Sequence, residues 1–600
     1  MANSTEFDGA SRNPSEIAAA NREAIFPLVF STKNQSQGTE VYLLDSSARI
    51  LTLFFENKGL PAIKDEDQRY HWYEDWTAHQ AAHRLYAALL SPKEYSSLGH
   101  EFDLLKLTRF LEVFAYFSPA HGYSLQVTFL GLFSILMGSN AELKKEAVAE
   151  LEAGELFALG VSERDHGSDL LANDFTVDGN GDSQFIANGS KYYIGNANAA
   201  SMVSILARKL NGRSRDRAKR APPVLFALRP KKSKGFKNGR KIHTLGIRSA
   251  FVGEFDVKDH ELPQTDFIAE GREAWDAVLG TVTLGKFFLG FGSIGICERA
   301  FQEAITHLTN RVLYGKPVIN MPHIGSAVAQ AYAHLTTMKL YAYRALDYLR
   351  TASADDRRYL LFNAVQKAKV STTGVKVMAL LSECVGAKGF ESDTYFEMAL
   401  RDVQLIPSLE GSTHINLSLT AQFVPLYFNK PDSNLGEPQS AAAGECASAE
   451  NPYLMEARSS PSNTIAFPSF LKAYQPLLTI PNVHHFAHQA RAFRLFVKGR
   501  SFHPRTADTQ AALAVAQCMA TIAYGQLIAE NSVRFNMPRQ MVNAMFHLLV
   551  NDLSVSALIL ASSNRLNAVS RILIKRIITV PKTTDADWEF VLNRAKALGV

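Results

Sequence analysis

The 600-residue sequence predicts an α+β protein, mainly α: a helical domain, a small β domain, a helical bundle and a further helical domain. Three observations carry this. Apolar residues recur at three- and four-residue steps on both sides of a central stretch. Within that stretch the period drops towards two and turn residues appear. A later run rich in Ser, Ala, Gly, Glu and Pro, with no periodic apolar face, sets the last helices apart. A chain of this length exceeds one ordinary core, so several domains are expected.

In order, Leu104, Leu107, Phe110, Leu111 and Phe114 share one helix face and mark the N-terminal helical domain, residues 1–156. In the β domain, 157–265, Phe185-Ile186-Ala187 and Tyr192-Tyr193-Ile194 flank Asn188-Gly189, which predicts a hairpin because both central residues tolerate positive φ. Val224 to Leu228 and Phe251 to Val257 supply further strands. The bundle, 266–430, carries the stripes Ile296, Ala300, Phe301, Ala304, Ile305, Leu308 and Leu335, Met338, Ala342, Leu346, Leu349. Residues 431–463 read as a linker, and 464–600 as the last domain, with helices over Ala511 to Ile528 and Met541 to Ala561. Between Arg565 and Ile578 an amphipathic helix is expected to pack Leu566, Val569, Leu573 and Ile577 against its own chain.

With 46% apolar and 20% charged residues the composition is that of a soluble globular protein. The first residues carry early acids and read as neither secretory signal nor transit peptide. The most apolar stretch, Ser124 to Gly138, is too short to span a bilayer, so no integral membrane segment and a cytoplasmic location are expected. The 4 cysteines show no metal or disulfide spacing. Arg208 to Lys241 is strongly basic with Asp216 as its acid, a solvated face or a contact for phosphate-rich ligands. Its aromatics are Phe226 and Phe236, so stacking on nucleic acid is not expected.

The chemistry concentrates in Ile406-Pro407-Ser408-Leu409-Glu410-Gly411-Ser412-Thr413. A carboxylate on a loop beside a glycine can approach a ligand closely and act as a base. Upstream stand Gly160-Val161-Ser162-Glu163-Arg164-Asp165-His166-Gly167-Ser168-Asp169, Lys191-Tyr192-Tyr193-Ile194-Gly195-Asn196, Arg311-Val312-Leu313-Tyr314-Gly315-Lys316-Pro317, Gly386-Ala387-Lys388-Gly389-Phe390 and Arg401-Asp402. In order and spacing these blocks resemble the acyl-CoA dehydrogenase family, whose pattern is Thr-Glu-Pro-x-Ala-Gly-Ser-Asp, Trp-Ile-Thr-Asn, Arg-x-x-Phe-Gly, Gly-Gly-x-Gly-Phe, Arg-Asp and Glu-Gly-Thr.

The resemblance implies a central β barrel between helical domains, FAD as cofactor, and no metal. It implies dehydrogenation of a fatty acyl-CoA to the trans-2-enoyl-CoA, with electrons passed to an electron-transfer flavoprotein. Variants of the same fold are an acyl-CoA oxidase, an acyl-carrier-protein dehydrogenase and a DNA-binding flavoprotein. Glu410 matches the family's base, and its backbone N–H and Gly411 the thioester end. Leu159, Val161 and Ser162 fall on the block that meets the flavin, and Gly167 and Ser168 on its phosphate and pantetheine end. Tyr193 and Ile194 match the Trp-Ile that lies on the flavin; Gly195 lacks the Thr hydroxyl expected at N5. Arg311 matches an arginine that reaches the partner subunit's flavin, as do Glu383, Gly386 and Ala387, although a glutamate near phosphates is repulsive. Ser412 and His414 fall on the adenine side, and Lys286 replaces an arginine lining the acyl-CoA site. A homodimer is expected.

Overall fold

A computed structural model describes residues 46–179, 183–210, 221–429, 432, 435–456, 465–498, 509–562 and 568–598. The N-terminal stretch read for targeting signals, the basic residues within 211–220, and Leu566 lie outside the described residues.

The first helix, α1 (Ser46–Arg69), is broken at Gly59, whose φ of 73° and ψ of 156° leave helical space two residues before Pro61. In α2 (Leu104–Phe117) the Asp103 side chain caps the start by accepting from the N–H groups of Leu105 and Lys106. The predicted stripe is buried, and so are Thr108, Glu112 and Val113, so this helix is enclosed almost all round. α3 (Pro119–Leu136) begins with a proline in its first turn and carries Ser124, Gln126 and Thr128 into the interior.

Eight strands follow: β1 (Leu156–Gly160), β2 (Thr176–Gly179), β3 (Gln184–Gly195), β4 (Ala200–Lys209), β5 (Pro223–Leu228), β6 (Phe236–Lys241), β7 (Val252–Pro263) and β8 (Phe267–Glu270). They form one sheet in the order β6-β7-β3-β2-β4-β5-β8, with β1 parallel to β4. The last strand carries the β domain to Glu270, past the expected boundary at 265. The hairpin expected at Asn188-Gly189 does not form. Instead β3 runs straight through the dipeptide, and its register against β7 slips between Ala187 and Gly189. Asn188 Oδ1 accepts the Asp259 N–H at 2.8 Å, and a Cβ on Gly189 would overlap the Phe175 ring. The positive-φ tolerance that signals a turn is spent on a bulge and a close contact.

The bundle contains α4 (Gly271–Asn310), the small hairpin β9 (Val312–Leu313) and β10 (Lys316–Pro317), and α5 (Pro322–Arg350). A short helix (Tyr359–Val365) then widens into a π-helical turn (Gln366–Val370) before α6 (Ser371–Val385), α7 (Tyr395–Leu405) and α8 (Thr413–Gln422). Both predicted stripes are buried. The expected linker is a strap rather than a spacer. Glu450 Oε2 accepts the backbone N–H groups of Lys93 and Phe102, each at 2.9 Å. Asn451 donates to the carbonyls of Arg350 and Ala352, and Ala441 to Ala443 are buried. Glu450 and Asn451 are thereby committed to the N-terminal helical domain and to the bundle, which composition alone does not reveal.

The last domain holds α9 (Pro481–Lys498), α10 (Thr509–Arg534), α11 (Arg539–Ala561), α12 (Ala568–Lys575) and α13 (Asp585–Lys596). It docks on α5 through Arg344, fully buried and bonded to Glu530 of α10 at 2.6 Å. Of the face expected between Arg565 and Ile578, Ile577 is buried just past α12 and Leu573 is half-buried against the core, whereas Val569 is 67% exposed and Ser570 and Ile574 turn inward instead. Among the described residues three helices, α4, α10 and α11, are long and apolar enough to cross a membrane by length and composition, where none was expected. Their apolar windows are 72%, 78% and 61% buried inside the protein, so that character is used mainly by the core.

Candidate active site

The loop between α7 and α8 places two consecutive residues in left-handed space, Glu410 at φ 50° and Gly411 at φ 98°. Glycine takes this conformation freely, while a glutamate there stores on the order of 1–3 kcal/mol of strain. Three ties hold the loop. The Asn416 amide donates to the carbonyls of Gly411 and Ser412, both at 3.0 Å, and Lys367 Nζ donates to the Ile406 carbonyl at 2.5 Å. The result is a carboxyl group set between α3 and α4.

Glu410 Oε1 accepts from Gln126 Nε2 at 2.7 Å, and the same amide donates to the Gly285 carbonyl at 2.9 Å. Oε2 is buried and has no hydrogen-bond partner among the described residues. A Cβ on Gly285 would lie 2.7 Å from that oxygen, so α4 clears the carboxyl by having no side chain there. Burial raises the Glu410 pKa to about 7, against the opposing pull of the Gln126 hydrogen bond and of Lys367 and Lys286. Both lysines are buried, and desolvation lowers each to about 8, countered by Glu410. Lys286 is therefore no solvent-exposed helix cation. A carboxyl titrating near neutrality, with one oxygen spare, suits a general base.

Beside it lies a narrow apolar cavity walled by Leu111, Tyr123, Gln126, Phe288, Leu405 and Leu409. Asp402 also reaches its wall, with Oδ1 accepting the Ile247 N–H at 2.6 Å and burial raising its pKa to about 7. Tyr123 approaches Gly195 from α3. A Cβ built on Gly195 would stand 2.8 Å from Tyr123 Cε1, 3.1 Å from its hydroxyl and 2.6 Å from Val127 Cγ2. The missing side chain at 195 is thus filled space, and a phenol occupies it.

The other β-domain candidates cluster along β1, β3 and the loop after β1. Leu159 and Ile194 are buried, and Val161 accepts from buried Lys191 at 3.2 Å. The Ser162 hydroxyl donates to the Tyr192 carbonyl at 2.6 Å, so its proton ties the loop to β3 and is not available to a ligand. Among the described residues nothing lies within 4 Å of a Cβ built on Gly167, and Ser168 beside it is exposed. Tyr193, at φ 61°, is 58% exposed. Arg311, Glu383 and Ala387 are exposed, Gly386 and Ser412 half-buried, and His414 exposed. None of these six lines the cavity beside Glu410.

The basic segment is largely committed where it is described. Arg208 is bonded to Asn173 and the Ala221 carbonyl, Lys209 to Glu270, Arg229 to Glu146 and Asp266, and Lys241 to the Tyr70 carbonyl. Glu66, Asp75 and His121 offer ligand atoms within 4.8 Å of one another, but Lys58 Nζ already lies 2.5 Å from both carboxylates. Gln126 and Lys367 had no motif to announce them. The available signal was a lone amide in an apolar helix and a lysine upstream of the glycine turn.

Two families match the chain: the acyl-CoA dehydrogenase middle domain over residues 158–260 and the acyl-CoA dehydrogenase C-terminal domain over 273–424. Among relatives, the cyclohex-1-ene-1-carbonyl-CoA dehydrogenase of Geobacter metallireducens is 24% identical over 336 residues, 56% of this chain and 85% of its own. The glutaryl-CoA dehydrogenase of Desulfococcus multivorans is 24% identical over 368 residues, 60% and 91% of the two chains. An acyl-CoA dehydrogenase from Bacillus anthracis, solved with FAD, superposes with a TM-score of 0.71 at 15% identity, over 95% of this chain and 96% of that one. That match includes the C-terminal helices. The butyryl-CoA dehydrogenase of Megasphaera elsdenii, with a TM-score of 0.56 at 20% identity, covers 63% of this chain and 96% of its own.

Proposed function

Because this chain belongs to the acyl-CoA dehydrogenase family, FAD-dependent oxidoreductases acting on CH–CH groups, we propose that it converts a fatty acyl-CoA to the trans-2-enoyl-CoA and passes electrons to an electron-transfer flavoprotein. The observation that carries this is the spare buried oxygen of Glu410, on a carboxyl near pKa 7, beside a narrow apolar cavity. The residues present fit FAD. Gly167 and Ser168 leave room for phosphate, and exposed Tyr193 offers an aromatic face. When bound there, FAD would supply the acceptor for the β-hydrogen as hydride.

The chain supplies the rest. Glu410 takes the α-proton, so two C–H bonds break and one C=C bond forms. Gln126 fixes the carboxylate through Oε1 and leaves Oε2 for the proton. Lys286 and Lys367 favour the ionised base. No backbone carbonyl accepts from the Glu410 N–H among the described residues, which leaves it to steady charge on the thioester oxygen. Aliphatic and aromatic walls hold the acyl chain and exclude water.

The same reading makes the protein a homodimer. The β9–β10 hairpin next to Arg311 carries Val312, Leu313 and Tyr314, the last 95% exposed, an apolar tip suited to a second copy whose FAD Arg311 would reach. Anaerobic mixing of the FAD-loaded protein with acyl-CoAs of graded length should bleach the oxidised flavin for at least one length. No bleaching with any of them, FAD remaining bound, would reject the proposal.

A further inference from the structure

A second cavity, of about 580 Å³, lies over the first turns of α4. That size is ordinary for a small-ligand site, roughly 300–1,000 Å³. Arg272, Asp276, Thr283 and Leu284 form one wall. Gly285, the next residue, is the one that leaves room for Glu410 Oε2. At about 1.5 Å per residue, Arg272 stands about 20 Å along α4 from Gly285, a span that an extended pantetheine arm covers. Arg357 and Tyr359, at the start of the short helix that leads to Lys367, form a second wall. These two walls follow from the reaction proposed above, whose thioester needs a mouth.

The third wall does not. Tyr453, Leu454 and Glu456 of the strap line the same cavity. The local sequence explains how they are held. In Asn451-Pro452-Tyr453-Leu454 the proline starts a single 3₁₀ turn, Pro452–Met455, and the Asn451 side chain caps it by accepting the Tyr453 N–H at 3.1 Å. Through its amide nitrogen the same Asn451 donates to the Arg350 and Ala352 carbonyls, so the turn is pinned to the end of α5. Leu454 is buried as an anchor, whereas Tyr453 is half-buried. Burial, and then the neighbouring Tyr453, raise the Tyr359 pKa, which sets two phenols close together. The cavity thus offers guanidinium groups, aromatic faces and the Glu456 carboxylate, which suit a phosphate, a planar base and that base's amine. Asp276, 3.6 Å from Arg272, is an exposed pairing that a phosphate can replace.

We propose that the strap turn is a specificity element: Tyr453 and Glu456 bind the nucleotide end of CoA, and the turn selects CoA over a pantetheine carried by a protein. This deepens the dehydrogenase reading and rests on it. A carrier protein has to bring a folded surface of its own against the mouth, whereas α4 and the strap enclose a space of small-molecule size.

The test presents one acyl group on three carriers, CoA, pantetheine and an acyl-carrier protein, to the full-length FAD-loaded protein. Wild type is expected to show its highest kcat/KM with acyl-CoA. Tyr453→Ala should raise the KM for acyl-CoA about tenfold, the effect falling on KM rather than kcat, and move the KM for acyl-pantetheine by less than about twofold. Tyr453→Phe keeps the ring and should restore most of the affinity. Glu456 is exposed, so Glu456→Ala keeps the fold and should raise the same KM about threefold even where Tyr453→Ala loses its flavin. A KM for acyl-CoA that neither alanine variant moves, or that rises equally for acyl-pantetheine, would overturn the role of the strap and leave the dehydrogenase reading standing. So would a wild-type preference for the acyl-carrier protein. Flavin that no thioester bleaches would overturn both.

Discussion

Buried charge occurs in two styles in this molecule. In the bundle, Lys339 Nζ lies 2.5 Å from Glu298 and 2.8 Å from Glu112, and Tyr343 donates to Glu112 at 3.0 Å. At the domain junction Arg344 reaches Glu530, Asp347, Glu437 and the Pro438 carbonyl. Beside the cavity, by contrast, Glu410 has one hydrogen bond, a spare oxygen, and two lysines whose pKa values are pulled down to about 8. Lys339 is instead held above its ordinary value by the two carboxylates around it. Complete pairing turns buried charge into architecture, whereas incomplete pairing leaves groups whose protonation can change during a reaction.

The contrast can be broken from either side. Glu410→Gln should retain FAD and acyl-CoA binding yet lose about 10²-fold or more in turnover, because an amide cannot take the α-proton. Near-normal turnover in the purified variant would move the base elsewhere. Arg344→Met should do the reverse, lowering stability by about 3–5 kcal/mol in urea unfolding by leaving Glu530 and Asp347 buried without their cation, while turnover per bound flavin is kept. A matching loss of turnover would erase the distinction between the two styles.

Smaller effects sharpen it. Gly195→Thr should destabilise by about 1–3 kcal/mol through overlap with Tyr123 and Val127. Combined with Tyr123→Ala it should cost less than the sum of the two, and strict additivity in a double-mutant cycle would show that the phenol does not fill that space. Wild-type kcat/KM should rise with pH through about 7 as Glu410 ionises. Gln126→Leu removes a hydrogen bond that favours the ionised carboxyl, so its acid limb should lie at higher pH and its rate should recover above that limb. A uniform drop at every pH would mean that Gln126 serves only packing.

Periodic positions were the legible ones. Every residue of the two bundle stripes is buried, since an apolar face at helical spacing has nowhere else to go. Glu410 stood out by its loop and its neighbours in the chain. Asn188-Gly189 misled because a hairpin and a bulge need the same backbone freedom, and Phe175, which decides between them, is remote in sequence. Gln126, Lys286 and Lys367 reach Glu410 from three separate segments, and no local pattern records that meeting. The strap was misjudged because composition reports what a segment cannot bury and not what its polar groups can bind.

That strap also sets a timetable. Phe102 meets Glu450 across a sequence separation of 348 residues, and Arg344 meets Glu530 across 186. At roughly 5–20 residues per second, the N-terminal helices wait on the order of tens of seconds on the ribosome before the residues that fasten them have been made. During that interval an apolar helix such as α2, enclosed almost all round in the finished protein, still lacks part of its cover. The nascent first domain is therefore a natural client for chaperones, and slowing synthesis between the bundle and the last domain should prolong that dependence.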